Sequence, residues 1–419
     1  MNNWQQILSN QGQIARKAAR ALAITPTTIK NNALLAMADA LEHNSDEILQ
    51  ANKLDLQQGE KNGLTKALLE RLSLNPARIK DMADGIREIA ALPDPIGEVT
   101  GISKRPNGLE VGRVRTPIGV IGIIYESRPN VTADAAALCI KAGNAVILRG
   151  GEEALNSNRL IAATIADAAV KAGLAEGAIQ LVDSEDREAA VYLMKMHDYL
   201  DVLIPRGGKG LKAAVMENAT VPIIMTGMGN CHVYIDQYAD LKKAAPIVMN
   251  AKVQRPSVCN AAEKLLVHEA VAEQFLPDMI KELRAAGVSI RGCKRTRKIV
   301  SDVIPAVDAD WDEEYLDLIL AVKIVDSLNE AIDHINNHGT GHSEAIISEN
   351  YSDVRQFMSA VDAAAVYANA STRFTDGNVF GFGAEIGIST QKLHARGPMG
   401  LPELTTTKFI IYGDGQIRQ

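Results

Sequence analysis

Through the first ninety residues, apolar positions recur at helical spacing. Leu34, Leu35, Ala38 and Leu41 fall on one face, and Asn44 with Glu47 three residues on reads as a capping box opening the next helix. Between Gly101 and Val114 the period shortens to two around Pro106-Asn-Gly108, the signal of a hairpin turn. From Pro117 onward, short apolar runs alternate with helical patterns. Strands are predicted at 120–124, 145–148, 179–182, 200–204 and 221–225, with helices at 131–142, 158–171, 187–196 and 208–218 between them. Strands joined in this way by right-handed crossovers make a doubly wound parallel sheet, whose ligands bind at the carboxyl ends of the strands. A second alternating block runs from Leu241 to about Ala365, with a helix over 240–253 and a short strand at 264–268. The tail at 405–412 is a lone β-rich segment, and the hairpin at 101–114 is its candidate partner. Two such excursions often bridge subunits.

Composition narrows the class. A chain of 419 residues is too long for one core and implies two or three domains. Ala, Ile, Leu and Val carry the apolar load while aromatics are only 4%, which suits buried parallel strands under helices. A net charge of -7 with pI near 5.7 speaks against nucleic acid, because no basic stripe is available to displace counterions. The four cysteines form no C-x-x-C pair, so neither a zinc site nor a disulfide framework is indicated, and Cys139 in an apolar helix reads as core filler. The start Met1-Asn-Asn-Trp-Gln-Gln lacks a charged region followed by an apolar one, and no apolar run approaches the roughly 20 residues of a membrane span. The expectation is a reduced, cytoplasmic, multidomain protein with no membrane partner.

Candidate chemistry concentrates in two places. Cys259 lies in a Pro-containing loop between a helix and a strand, with Arg255 four residues earlier to favour the thiolate. The residues alone leave two readings, a reactive thiol and a small apolar filler. No G-x-G-x-x-G or Walker pattern is present. Instead the fourth strand runs into Ile204-Pro-Arg-Gly-Gly-Lys-Gly210 and a helix. Backbone N–H groups of Gly207 and Gly208 at a helix start, with Arg206 and Lys209, suit a phosphate; a plain glycine turn is the alternative. The second strand ends Leu148-Arg149-Gly-Gly-Glu152 at the same rim, where Arg149 can grip a ribose phosphate bidentately. His334, His338 and His342 recur every four residues, but Gly339 and Gly341 speak against the continuous helix that a metal site would need.

Long blocks carry a family resemblance: Tyr125-Glu-Ser-Arg-Pro-Asn-Val-Thr132, Ile204-Pro-Arg-Gly-Gly208, Arg255-Pro-Ser-Val-Cys259, Tyr315-Leu-Asp-Leu318 and Thr340-Gly-His-Ser343. They continue through Asn369-Ala-Ser-Thr-Arg-Phe-Thr-Asp-Gly377, Phe380-Gly-Phe-Gly-Ala-Glu-Ile-Gly387 and His394-Ala-Arg-Gly-Pro-Met-Gly-Leu401. In order and nearly end to end, the chain resembles the aldehyde dehydrogenase superfamily, most closely its glutamyl-phosphate-reducing branch. The resemblance implies two doubly wound α/β domains and a small β oligomerisation flap. Their expected bounds are 1–101 with 117–228 for NADPH binding, 229–395 for the thiol domain, and 102–116 with 396–419 for the flap.

The implied reaction is NADPH-dependent reduction of L-glutamyl 5-phosphate to glutamate 5-semialdehyde and phosphate, the second step of proline biosynthesis. Cys259 falls on the family's nucleophile, residues 204–208 on the pyrophosphate turn, and Glu314 on the carboxylate that holds the nicotinamide ribose. Arg149 replaces a lysine at the adenosine ribose, with Glu152 beside it. Met225 stands where hydrolytic members place a general-base glutamate, so a thioester on Cys259 is expected to outlast water. Asn130, with backbone N–H groups near Cys259, is the candidate oxyanion donor, although Arg128 competes for the position. Arg128, Arg255 and Arg373 are candidates for the substrate's anionic groups, and Glu385 or Asp376 for its ammonium. The branch further implies a homodimer or homotetramer and transient contact with glutamate 5-kinase.

Overall fold

The apolar runs of the first half form a four-stranded parallel sheet in the order Ile179–Leu181, Ala145–Arg149, Val120–Tyr125, Val202–Arg206. In this computed structural model, residues 3–418 are described. The central strands Val120–Tyr125 and Ala145–Arg149 are buried along their whole length, which is why they read as unbroken apolar runs rather than alternation. Helices Asn130–Lys141, Leu155–Lys171 and Arg187–Met194 make the connections, and Lys209–Asn218 follows the last strand. The segment at 221–225 corrects the expected fifth strand, for it touches the sheet only through a parallel bridge from Leu203 to Ile223. Pro222 has no N–H to give a ladder. The expected capping box is also absent. Helix Ser45–Lys61 does start after Asn44, but the Asn44 amide turns back to the Ala40 carbonyl at 2.7 Å.

Residues up to Met225, with 382–387 and those from Met399 onward, form one unit. Within it, Val99–Lys104, Glu110–Pro117 and Thr405–Tyr412 make a three-stranded antiparallel sheet. The tail pairs with the hairpin as expected, along all eight residues of Glu110–Pro117. Residues Thr226–Gly381 and Ile388–Pro398 form the other unit. Its sheet has seven parallel strands in the order Ile304–Pro305, Ser289–Gly292, Ile319–Val325, Ala262–His268, Cys231–Ile235, Ser343–Ile347, Ala365–Ala368. Helices Leu241–Val253 and Glu269–Ala285 bury Val248, Ala251, Phe275, Leu276 and Met279 against it. No helix among the described residues is long and apolar enough to cross a membrane.

Candidate active site

The thiol loop is made by a helix that has to stop. Leu241–Val253 is capped at its start by the Asp240 side chain, and Pro256 keeps Arg255 out of the helical region. The chain turns through Cys259 and enters the wholly buried strand Ala262–His268. Cys259 itself is part-exposed. Below it, in the neighbouring strand Cys231–Ile235, the Cys231 thiol donates to the Cys259 carbonyl at 3.1 Å. Gly229 lies so close to that same carbonyl that a Cβ would fall 1.4 Å from its oxygen, so no larger residue fits without moving the loop. The Gly229 N–H donates to Glu314 Oε1 at 2.5 Å, and the Asn230 amide donates to the carbonyls of Trp311 and His338, both at 2.7 Å.

Asn260 ties the loop's other end. Its amide donates to the carbonyl of Thr375 at 2.9 Å, and its own carbonyl accepts the Thr372 hydroxyl at 2.7 Å. Arg373 spans both ends of the loop, with Nε on Gln254 Oε1 at 2.8 Å and Nη1 on Asn260 Oδ1. Burial pulls the Arg373 guanidinium down and the nearby Arg255 charge adds to this, while a thiolate at Cys259 pulls it back. Cys259, Arg255, Arg373 and Glu314 are therefore assembled within one unit. Two donors of Arg373, Nε and Nη1, brace the loop at its two ends.

Charges are also buried under this loop. Lys252, in the last turn of the preceding helix, pairs with Glu263 at 3.0 Å, and neither is exposed to solvent. Burial pushes the Glu263 carboxyl up and the Lys252 and Lys264 ammoniums down, and the opposite charges offset part of this. The histidine series is broken as expected: helix Leu328–His338 ends at a Gly339 cap. The His334 and His338 rings lie 4.4 Å apart, tilted by 42°, and His338 Nδ1 meets Asp312 Oδ1 at 2.8 Å.

Asn130, Arg128, Arg149, Glu152, Arg206, Gly207, Gly208, Lys209 and Glu385 lie in the other unit. Arg149 ends its strand only 9% exposed, and its Nε has no hydrogen-bond partner among the described residues. Burial lowers its pKa, and Glu153 and Glu152 resist that. A buried guanidinium edge without an acceptor is unfavourable until an anion arrives. The glycine turn already holds one: Glu126 Oε2 accepts from the Gly208 N–H at 2.8 Å and rests on Gly207, where a Cβ would lie 2.4 Å away. Sequence reasoning missed Glu126, although its place just after the strand beside Val202–Arg206 was a signal. A nucleotide with anionic phosphates fits these residues. Asn130 opens helix Asn130–Lys141 and donates to Asp134 Oδ2 at 2.9 Å.

Comparison with known proteins bears on the family and the fold. A model of the aldehyde dehydrogenase family matches residues 8–296 and 291–410. A protein of Syntrophomonas wolfei named gamma-glutamyl phosphate reductase is 75% identical over 411 residues, covering 98% of this chain and 98% of its own. The crystal structure of gamma-glutamyl phosphate reductase from Thermotoga maritima matches with a TM-score of 0.97 at 50% identity, covering 98% of this chain and 100% of that one. An engineered glycolyl-CoA reductase with bound NADP+ shares the fold at a TM-score of 0.67 and 17% identity, covering 96% of each chain.

Proposed function

The chain belongs to the aldehyde dehydrogenase family and to its gamma-glutamyl phosphate reductase branch, oxidoreductases of an aldehyde or acyl phosphate, and from this we propose a thioester route on Cys259. The overall reaction is NADPH-dependent reduction of L-glutamyl 5-phosphate to L-glutamate 5-semialdehyde and phosphate, the second step of proline biosynthesis from glutamate. The observation that carries the reading is the part-exposed Cys259, its carbonyl locked from below and the Arg373 charge beside it.

The Cys259 thiolate attacks the acyl carbon, the carbon–oxygen bond to phosphate breaks, and inorganic phosphate leaves. Covalent catalysis thereby divides one hard transfer into two easier ones. Bound NADPH supplies the hydride that reduces the thioester carbonyl carbon. The resulting thiohemiacetal anion collapses, the carbon–sulfur bond breaks, and the semialdehyde leaves Cys259 as thiolate. Arg149, Glu152, Arg206, Gly207, Gly208 and Lys209 hold the nucleotide's ribose and phosphates, and Glu314 its nicotinamide ribose. Arg128, Arg255 and Arg373 bind the substrate's anionic groups and Glu385 its ammonium, while Asn130 with backbone N–H groups steadies the oxyanion, a donor worth about 3 kcal/mol. Met225 supplies no general base, so water is left unactivated beside the thioester.

The test is the reverse reaction. Oxidation of glutamate 5-semialdehyde with NADP+ should require inorganic phosphate or arsenate and vanish in Cys259→Ala. Equal rates in phosphate-free buffer would replace this reading with a hydrolytic dehydrogenase. The same reading includes a homo-oligomer joined through the three-stranded sheet, where Phe409 and Ile411 are 65% and 60% exposed on one face. Sedimentation of Ile411→Glu as a smaller species than the parent would support that part.

A further inference from the structure

Two charged residues, Glu263 and Lys264, follow one another in the strand Ala262–His268 shortly after Cys259, and no step above uses them. Neither side chain is exposed. Successive strand residues point to opposite faces, yet both of these reach the segment around Glu314. Lys264 Nζ donates to the Glu313 carbonyl at 2.7 Å and lies 4.6 Å from the centre of the Tyr315 ring. Glu263 Oε1 accepts the Leu316 N–H at 3.1 Å, while Oε2 pairs with Lys252 in the helix that feeds the thiol loop. The main chain is thus gripped just before Glu314 and two residues after it.

The gripped segment is strained. Leu316 has φ +54, a left-handed conformation that a residue with a Cβ adopts only where its surroundings impose it. Buried ion pairs are a poor source of stability, and apolar replacements of the same volume are often tolerated. Hydrogen bonds from charged groups do, however, hold a main chain in a conformation that packing alone would release. What the strain fixes is the Glu314 carboxylate, which meets the Gly229 N–H, and Gly229 in turn abuts the Cys259 carbonyl.

We infer that Glu263 and Lys264 are positioning residues, which by holding Leu316 N–H and Glu313 C=O fix the Glu314 carboxylate against the Cys259 loop for the nicotinamide ribose. The inference rests on the cofactor reading of Glu314 given above. Neither residue touches the reacting atoms; both act through Glu314.

The experiment is a double-mutant cycle in the full-length protein, reading NADPH affinity by fluorescence titration, KM and kcat, and the rate at which iodoacetamide alkylates Cys259. Lys264→Met should raise the NADPH dissociation constant about tenfold, the loss of one charge-assisted hydrogen bond, and leave the KM for acyl phosphate unchanged. Combined with Glu314→Gln, it should add nothing to the loss from Glu314→Gln alone. Should Lys264→Met fail to fold, Glu263→Gln, which keeps an amide oxygen for Leu316 but removes the charge opposite Lys252, takes its place in the cycle. Losses that add, or an unchanged affinity in Lys264→Met while Glu314→Gln weakens it, would overturn the positioning role. An unchanged affinity in Glu314→Gln itself would overturn the cofactor reading, and the inference with it.

Discussion

The thiol of Cys231 donates to the main-chain carbonyl of Cys259 across 3.1 Å, so one buried sulfur steadies the turn that presents another. Burial pushes the Cys231 thiol well up, which keeps it protonated and a donor at neutral pH. Cys139 is likewise pushed up by burial. Cys293 differs: burial pushes it up, but the Thr296 hydroxyl and nearby backbone N–H groups outweigh that and lower it. Iodoacetamide on the native protein is therefore expected to modify Cys259 and Cys293, both part-exposed, and to spare Cys139 and Cys231. Peptide mass spectrometry reads this directly, and early modification of Cys231 would contradict it.

Two glycines should answer the same substitution in opposite ways. Gly229→Ala drives a methyl group into the Cys259 carbonyl, so it should lower stability by about 3 kcal/mol and abolish turnover. Gly85, inside helix Pro76–Ala91, has nothing within 4 Å of its Cβ position among the described residues. Gly85→Ala should therefore stabilise by about 0.5–1 kcal/mol with activity unchanged. Urea unfolding alongside turnover separates the two cases.

The architecture was readable wherever burial is two-sided. Val120–Tyr125 and Ala145–Arg149 announce themselves because every residue faces apolar neighbours. The same rule misread residues 221–225, where an apolar run carries a proline and makes only a bridge. It also started the thiol-side strand at Lys264, whereas the strand begins at Ala262. Glu263 reads as a loop residue, and neither its role nor that of Lys264 shows in the pattern, because their partners Leu316 and Glu313 are remote in sequence. The place of Cys259 in a loop between a helix and a strand was legible from the sequence. Cys231, Gly229 and Asn260 were not, since only the fold puts them against it.

Arg149 and Glu126 face the nucleotide problem from opposite sides. If Arg149 takes the ribose phosphate as proposed, Arg149→Ala should weaken NADPH by about tenfold or more and NADH less, since the buried Nε has no hydrogen-bond partner of its own among the described residues. Glu126→Ala removes the carboxylate now resting on the glycine turn, so NADPH should bind more tightly. The same change should lower the stability of the unliganded protein by about 0.5–1 kcal/mol, the ordinary loss of a helix-start acceptor. Fluorescence titration with both nucleotides checks the affinities, and urea unfolding of the unliganded protein checks the stability. Equal losses of NADPH and NADH in Arg149→Ala would remove the phosphate role.

Asp134 links stability to pH through the Asn130 hydrogen bond. Burial raises its carboxyl to about 6, against the pull of the Asn130 amide and the Arg206 charge. In the unfolded chain the same carboxyl titrates near ~3.9. Between these values the folded protein keeps a proton that the unfolded chain has lost, so folding is favoured by acid there. The contribution is complete below about 4 and is lost as pH rises through about 6, where burying the ionised carboxylate becomes unfavourable. Asp134→Asn carries no such proton. Its unfolding free energy should therefore exceed the parent's at pH 7 to 8 by about 1–2 kcal/mol, allowing for partial exposure, and the gap should close as pH falls toward about 4. Urea unfolding of both proteins across that range measures the gap, and a gap that stayed constant would mean that Asp134 titrates as it does in the unfolded chain.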